Sequence, residues 1–358
     1  MPFGSEPDFL HRINKIVSGE RSLSAEFLFY FYGGFDWNPT CAYTYSMSSI
    51  TGNVDGFMCG ETLEQKFIRW LLQVSYFIPF FIIVFKMYLL KNLGILKNNE
   101  LEFRFVALFS SLTFPSLIYF TGVAAEEQIT LFLSLFISVF IRNLFVTLLL
   151  LFLIFFVEIG TAMVVSLFLL NYFFYHFILK KASIKFIEIL SLFLIVICFI
   201  FKMQLLTILF YLPIIGNKVM VIYNAYTLTS YADVVDKYPL LFRPLMTFIS
   251  GVFMTPHGIK VILLYPIVFY FLIRLYLKSR RYAYDYNAKS GYVTLLLIFT
   301  FITCTVFVLP GYSNAKYYIF VLPFILQNAI AIYGFKPVVH FSIFCSIVVC
   351  IQLVLARM

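Results

Sequence analysis

Two carboxylates, an imidazole and a guanidinium fall within one short stretch, Gly4-Ser5-Glu6-Pro7-Asp8-Phe9-Leu10-His11-Arg12. Pro7 steers Glu6 away from helical geometry. The stretch therefore reads as a turn that opens a helix, with Asp8 near its cap and Leu10, Ile13, Ile16 and Val17 along one face. Two readings of Glu6 and Asp8 stand side by side. Carboxylates are favoured at a helix N-terminus by the helix dipole. A positioned carboxylate is also the group that takes the proton from an attacking hydroxyl, as glycosyl transfer requires.

Other residues of the same chemical interest are scattered along the chain. Glu126-Glu127 separates two apolar runs, as an interfacial loop or as part of a site. Arg142 ends a very short run, Ile129 to Ile141, which implies a tilted, re-entrant or broken helix. A charge held there is a functional candidate or a membrane anchor. Lys202, Lys218, Arg243, His257 and Lys316 form a basic set, and Arg243 lies in the apolar context Leu240-Leu241-Phe242-Arg243-Pro244-Leu245. An Arg in that setting calls for a partner. Its planar fork suits phosphate, so an anionic ligand such as a pyrophosphate is one reading and snorkelling anchors the other. Gly311 to Tyr318, followed by Pro323, places Lys316 and Tyr317 at the mouth of an apolar run. Tyrosines there can stack on sugar rings or form an interfacial belt. The four His are dispersed, and no metal-ligand cluster, phosphate-cradling glycine loop or GxSxG is found. No metal, cofactor or nucleotide is expected.

The elements that must position these groups are written in the composition. Hydrophobic residues make up 62% of the chain and charged residues 12%, where a soluble domain carries about 25% charged residues. Several apolar runs reach the roughly 20 residues that cross a bilayer core. The 46 Phe and 25 Tyr suit lipid-facing bulk and interfacial belts. The formal charge of +9 is a topology signal rather than a nucleic-acid footprint, and no nucleic-acid partner is expected. The predicted fold class is all-α, a polytopic helical membrane protein of about ten spans. Residues 1–69 are a polar and aromatic segment, 70–201 a transmembrane bundle, 202–260 a loop with interfacial or half-membrane helices, and 261–358 a C-terminal bundle.

Spans are expected at 70–90, 105–123, 129–141, 144–157, 161–179, 186–201, 261–277, 291–311, 318–335 and 338–356. The positive-inside rule places 91–104, 142–143, 180–185, 278–289 and 336–337 in the cytosol. Residues 1–69 and 202–260 then share the opposite side. A polar segment of that length does not readily cross a membrane unaided. An upstream span is therefore expected before Met1, which makes about eleven spans. In an oxidising outer compartment Cys41 and Cys59 can close a disulfide or remain free thiols. The remaining cysteines lie in apolar runs, where a thiol behaves as a small hydrophobe.

At Gly4 to Phe9 the chain resembles the first external loop of C-type membrane glycosyltransferases, in which an acidic dyad follows the first span. Asn314-Ala315-Lys316-Tyr317-Tyr318…Pro323 is similar to their late Arg-Tyr…Pro element, with Lys in place of Arg. Phe114-Pro115-Ser116…Glu126-Glu127, the Phe-rich composition and the late external loop resemble bacterial polysaccharide repeat-unit polymerases of the Wzy type, for O-antigen or capsule. The dyad departs from the usual adjacent Asp-Glu. The resemblance implies transfer of a glycan from an undecaprenyl-pyrophosphate carrier onto another glycan, at the outer face of the bacterial inner membrane. Glu6 or Asp8 would be the base or orient the acceptor, and Arg12, Glu126, Glu127 and His257 would line the substrate. Arg142, Arg243 and Lys316 would contact pyrophosphate. The partners it implies are the lipid-linked glycan, the bilayer, and a chain-length regulator and flippase. A single-sugar transferase using a polyprenyl-phosphate donor and a flippase or transporter of lipid-linked oligosaccharide are the alternatives. A transporter should show repeat halves and mid-membrane charges, and no internal repeat is found.

Overall fold

The computed structural model describes residues 100–121, 126–211, 241–254, 264–285, 289–309 and 317–355. All regular structure among them is helical. The helices are α1 (Glu100–Ser111), α2 (Pro115–Thr121), α3 (Glu126–Phe140), α4 (Leu144–Val157), α5 (Ile159–Phe173), α6 (Ile184–Ile200), α7 (Lys202–Phe210), α8 (Arg243–Met246), α9 (Leu264–Asp285), α10 (Lys289–Val308), α11 (Leu322–Tyr333) and α12 (Phe335–Leu355). Among the described residues, two runs are long and apolar enough to cross a membrane, Ile159–Phe177 and Lys289–Val308. Ile184–Ile200 and Lys202–Leu209 make a third if that pair, bent by 79°, is one span.

The chain divides into two compact units, one of residues 1–112 and 117–163, the other of 113–116 and 164–358. In the first, α3 and α4 form a hairpin through a tight turn, and α1 packs on α3. Asn143 caps α4, its side-chain oxygen accepting from the Val146 amide at 3.2 Å. Thr147 donates back to the Phe140 carbonyl at 3.0 Å. Buried Arg104 donates to the Val139 carbonyl at 3.1 Å, which fixes α1 to the end of α3. Glu158 accepts from Thr161 at 2.7 Å and so reaches an amide-rich helix start.

The second unit is built around α10. That helix is buried along almost its whole length and packs on α6, α9 and α11. Buried polar side chains are mostly hydrogen-bonded within the protein. Thr294 and Thr300 donate to the carbonyls of Ser290 and Leu296, one turn back, both at 2.8 Å. α6 shows the opposite pattern. Phe186, Ile189, Phe193, Val196 and Ile200 form an exposed stripe at helical spacing, while Ile184, Ile187 and Ser191 face inward. Ser183 caps α6 by accepting from the Phe186 amide.

The contacts fix the relative directions of the helices. Glu188 meets Tyr292 near the start of α6 and α10, and Phe199 meets Phe307 near their ends. α6 and α10 are therefore parallel. His176, after α5, meets Thr294; Lys278 meets Tyr333; and Ser279 meets Asn328. α9 and α11 thus run against α10. One end of the unit gathers Lys181, Lys185, Lys278, Arg280, Arg281, Lys289 and, three residues past Tyr333, Lys336. These are the segments for which the charge pattern predicts one common side.

Most helix ends among the described residues fall a few residues from the expected spans, and two differ by more. The run 105–123 is broken: α1 ends at Ser111 and α2 begins at Pro115. Pro115 has no amide hydrogen to donate and biases Phe114 away from the helical region. α9 runs on to Asp285 instead of ending near 277. Lys and Arg are good helix formers, so the loss of apolar residues after Leu277 marks a change of surroundings without ending the helix.

Candidate functional site

Two sets of described polar groups in the second unit bear on function, one at the cation-rich end and one around Arg243. At the cation-rich end, Glu188 on α6 accepts two bonds from Arg280 on α9, Nε at 2.6 Å and Nη2 at 3.2 Å. Tyr292 on α10 donates to the same Oε1 at 2.6 Å. The hydroxyl has a single proton, so in its 2.8 Å contact with Tyr276 it is the Tyr276 hydroxyl that donates. One carboxylate thereby ties three helices. It also holds the Arg280 guanidinium above its ordinary pKa range, chiefly through the hydrogen bond between them.

Next to this knot, Asn328 on α11 donates to Ser279 at 2.6 Å, and Ser279 donates to the Leu275 carbonyl at 2.6 Å. The Asn328 amide occupies the space that a Cβ at residue 291 would need, so Gly291 is what lets α10 and α11 approach here. His176 lies 3.1 Å from the Thr294 hydroxyl. Because Thr294 spends its proton on Ser290, the imidazole Nε2 is the donor. The Tyr172 ring lies 4.3 Å from the imidazole. His176 sits in a π-helical turn, Phe174–Ile178, that ends α5.

The other set centres on Arg243. It opens α8, with Pro244 in the first turn, and is buried. The chain continues as a π-helical segment, Thr247–Met254, also mostly buried. α8 packs on α10, and the π segment packs on the short turn Ile319–Val321. Ser116 donates to the Val252 carbonyl at 2.6 Å. Phe253 lies edge-on to Phe114 at 5.6 Å, which adds an aromatic wall. Tyr317 is half-buried just ahead of that turn, and Tyr318 is fully buried against Phe301. The turn lies at the end of α11 remote from Asn328 and Tyr333. The Arg243 and Tyr317 segments are thus neighbours, at the end of α11 away from the cation-rich end.

Of the other expected site residues, Arg142 is exposed in the α3–α4 turn. Glu126 and Glu127 open α3, and only their backbone belongs to the described atoms. Glu6, Asp8, Arg12, Cys41, Cys59, His257 and Lys316 lie outside the described residues. Among the described residues no group of three or more His, Cys, Asp or Glu is arranged to hold a metal ion.

No family model, curated protein or solved structure matches this chain. The assignment of a role therefore rests on its own residues. Sequence reading missed the Glu188 knot, although a signal was present: Glu188 is a lone carboxylate inside the apolar run Ile184–Ile200, and such a residue is a site or a helix tie by default.

Proposed function

We propose that this chain is a multi-pass protein of the bacterial inner membrane, with about ten or eleven spans. On this reading it transfers lipid-linked glycan at the outer face, polymerising undecaprenyl-pyrophosphate-linked repeat units. Support for the membrane part comes from the distribution of polarity. Exposed surface on α4 and α6 is almost entirely Phe, Leu, Ile and Val, while Ser110, Ser134, Ser138, Thr147, Ser191, Thr300 and Ser342 lie inside. A soluble chain does not expose apolar surface on that scale. Lipid is the solvent that this arrangement fits.

The observation that carries the functional part is Arg243. A buried guanidinium in an apolar helix start, beside a π-helical turn and the Tyr317 segment, fits a diphosphate through its two-pronged donor geometry. The positive-inside pattern favours the extracytoplasmic side for this end, the side on which a carrier lipid's pyrophosphate would be presented; the resemblance names Glu6 or Asp8 as the carboxylate of the reaction. In this mechanism a carboxylate takes the acceptor's proton, the acceptor oxygen bonds to the anomeric carbon, and the carrier pyrophosphate leaves against Arg243 and Lys316; Arg142, on the opposite side by the same charge pattern, takes no part. Arg243→Ala at unchanged protein level is expected to leave single-unit surface glycan, and Arg243→Lys to restore only part of the chain length. Wild-type chain lengths in both variants would remove Arg243 from the site. Loss of one sugar within each unit, upon deletion of the gene, would favour the single-sugar transferase.

One observation favours the transporter reading. The 79° break between α6 and α7 is the kind of discontinuity that transporters place at substrate sites. Accumulation of unflipped lipid-linked units on the cytosolic side of a deletion strain would decide for it.

A further inference from the structure

The cation-rich end of the second unit carries a feature that the proposed reaction leaves unused. Tyr270, Arg274, Lys278 and Arg281 follow one another at spacings of four, four and three along α9, and all are exposed. That spacing puts them on one face of the helix. Arg274 stacks over the Tyr270 ring at 5.8 Å, and Lys278 over Tyr333 at 4.5 Å. The second contact brings the α11–α12 turn against the stripe. Gly334 makes that turn with a φ of 85°, and exposed Lys336 follows it. Two acidic groups lie nearby. Glu188 is taken up by Arg280, and Asp285 lies one turn past Arg281. From Arg274 to Arg281 the helix rises about 10 Å at ~1.5 Å per residue. The headgroup layer on each side of a bilayer is about 5–8 Å deep. On the membrane reading, the stripe is long enough to span the depth of the headgroup layer.

We propose that Arg274, Lys278 and Arg281 on α9 bind the headgroup phosphate of an anionic phospholipid. Charge complementarity argues for this occupant: stacking on tyrosine orders the cations without neutralising them, and a leaflet rich in anionic lipid supplies their counter-charge. The proposal rests on the membrane reading above and is independent of the glycan reaction.

The test uses the full chain in dodecyl maltoside micelles, with thermal midpoints measured on adding phosphatidylglycerol, phosphatidylcholine or inorganic phosphate. Phosphatidylglycerol is expected to raise the midpoint by roughly threefold more than phosphatidylcholine does, with no response to inorganic phosphate. Lys278→Gln/Arg281→Gln should lose most of the difference, while Lys202→Gln on α7 should keep it. Equal responses to the two lipids, or a response reproduced by inorganic phosphate, would overturn the proposal, and so would a double variant that still discriminates. If the double variant does not fold, native mass spectrometry of the wild-type chain decides, by whether phosphatidylglycerol is retained in preference to phosphatidylcholine. Failure of the membrane reading is separately visible, because the chain would then appear in the soluble fraction after alkaline carbonate extraction.

Discussion

Replacing Glu188 by Ala removes three bonds at once. The bidentate contact with Arg280 lies near the surface, with the Arg280 side chain 44% and the Glu188 side chain 22% exposed. Solvent screening limits such a pair to about 0.2–1 kcal/mol. The Tyr292 hydroxyl loses a charged acceptor, worth about 1.5–3 kcal/mol. Its bond with Tyr276 is already made and offers no replacement. The net cost is about 2–4 kcal/mol, and for a chain of 358 residues the midpoint falls by roughly 3–5 °C. Glu188→Gln keeps an acceptor for Tyr292 and loses only the ionic part, about 1 kcal/mol. Arg280→Ala should cost less than Glu188→Ala, because it leaves Tyr292 bonded to a carboxylate that still reaches water. Thermal melts read with a thiol-reactive dye suit this protein, since Cys198, Cys304 and Cys345 are half-buried or buried. If Glu188→Ala melts with the wild-type chain, or if Arg280→Ala is the more damaging change, Glu188 does not tie α6, α9 and α10 in the manner described.

Three further outcomes are expected from the same unit. Tyr292→Phe should cost about 1–2 kcal/mol while leaving the Glu188–Arg280 pair intact, so a double-mutant cycle between Glu188 and Arg280 should give the same coupling in either background. Gly291→Ala drives a methyl group into the Asn328 amide and should destabilise by about 1–3 kcal/mol. Adding Asn328→Ala makes room and should recover part of that loss; further destabilisation in the double variant would refute the contact. Thr294→Val removes the acceptor of the His176 imidazole and should lower the midpoint by the equivalent of about 1 kcal/mol, read in the same melt.

Much of the helical layout could be read from runs of apolar residues. The run 144–157 coincides with α4, and 186–201 with α6 to within two residues. Capping residues were a signal left unused: Asn143 and Ser183 each accept from the amide three residues on, and Ser183 sets the start of α6 at 184, two residues before the expected 186. Boundaries read from a change in polarity were less legible, because charged residues prolong α9 by two turns past Leu277. The break at Phe114-Pro115 was visible as a motif but not as the end of a helix. The polar knots were the least legible. Glu188 lies 92 residues from Arg280 and 104 from Tyr292, and local pattern carries no information on such pairings. Gly291 is similar: nothing near it in the chain announces that Asn328 occupies its missing side chain.

The orientation of the second unit is the premise of the proposed function, and substituted-cysteine labelling tests it most directly. In a background without native cysteines, Lys181→Cys and Lys336→Cys should react with a membrane-impermeant maleimide only after the cells are permeabilised. Lys202→Cys, at the far end of α6, should react in intact cells. Labelling of Lys336→Cys in intact cells, with Lys202→Cys protected, would contradict the account and leave Arg243 facing the cytosol.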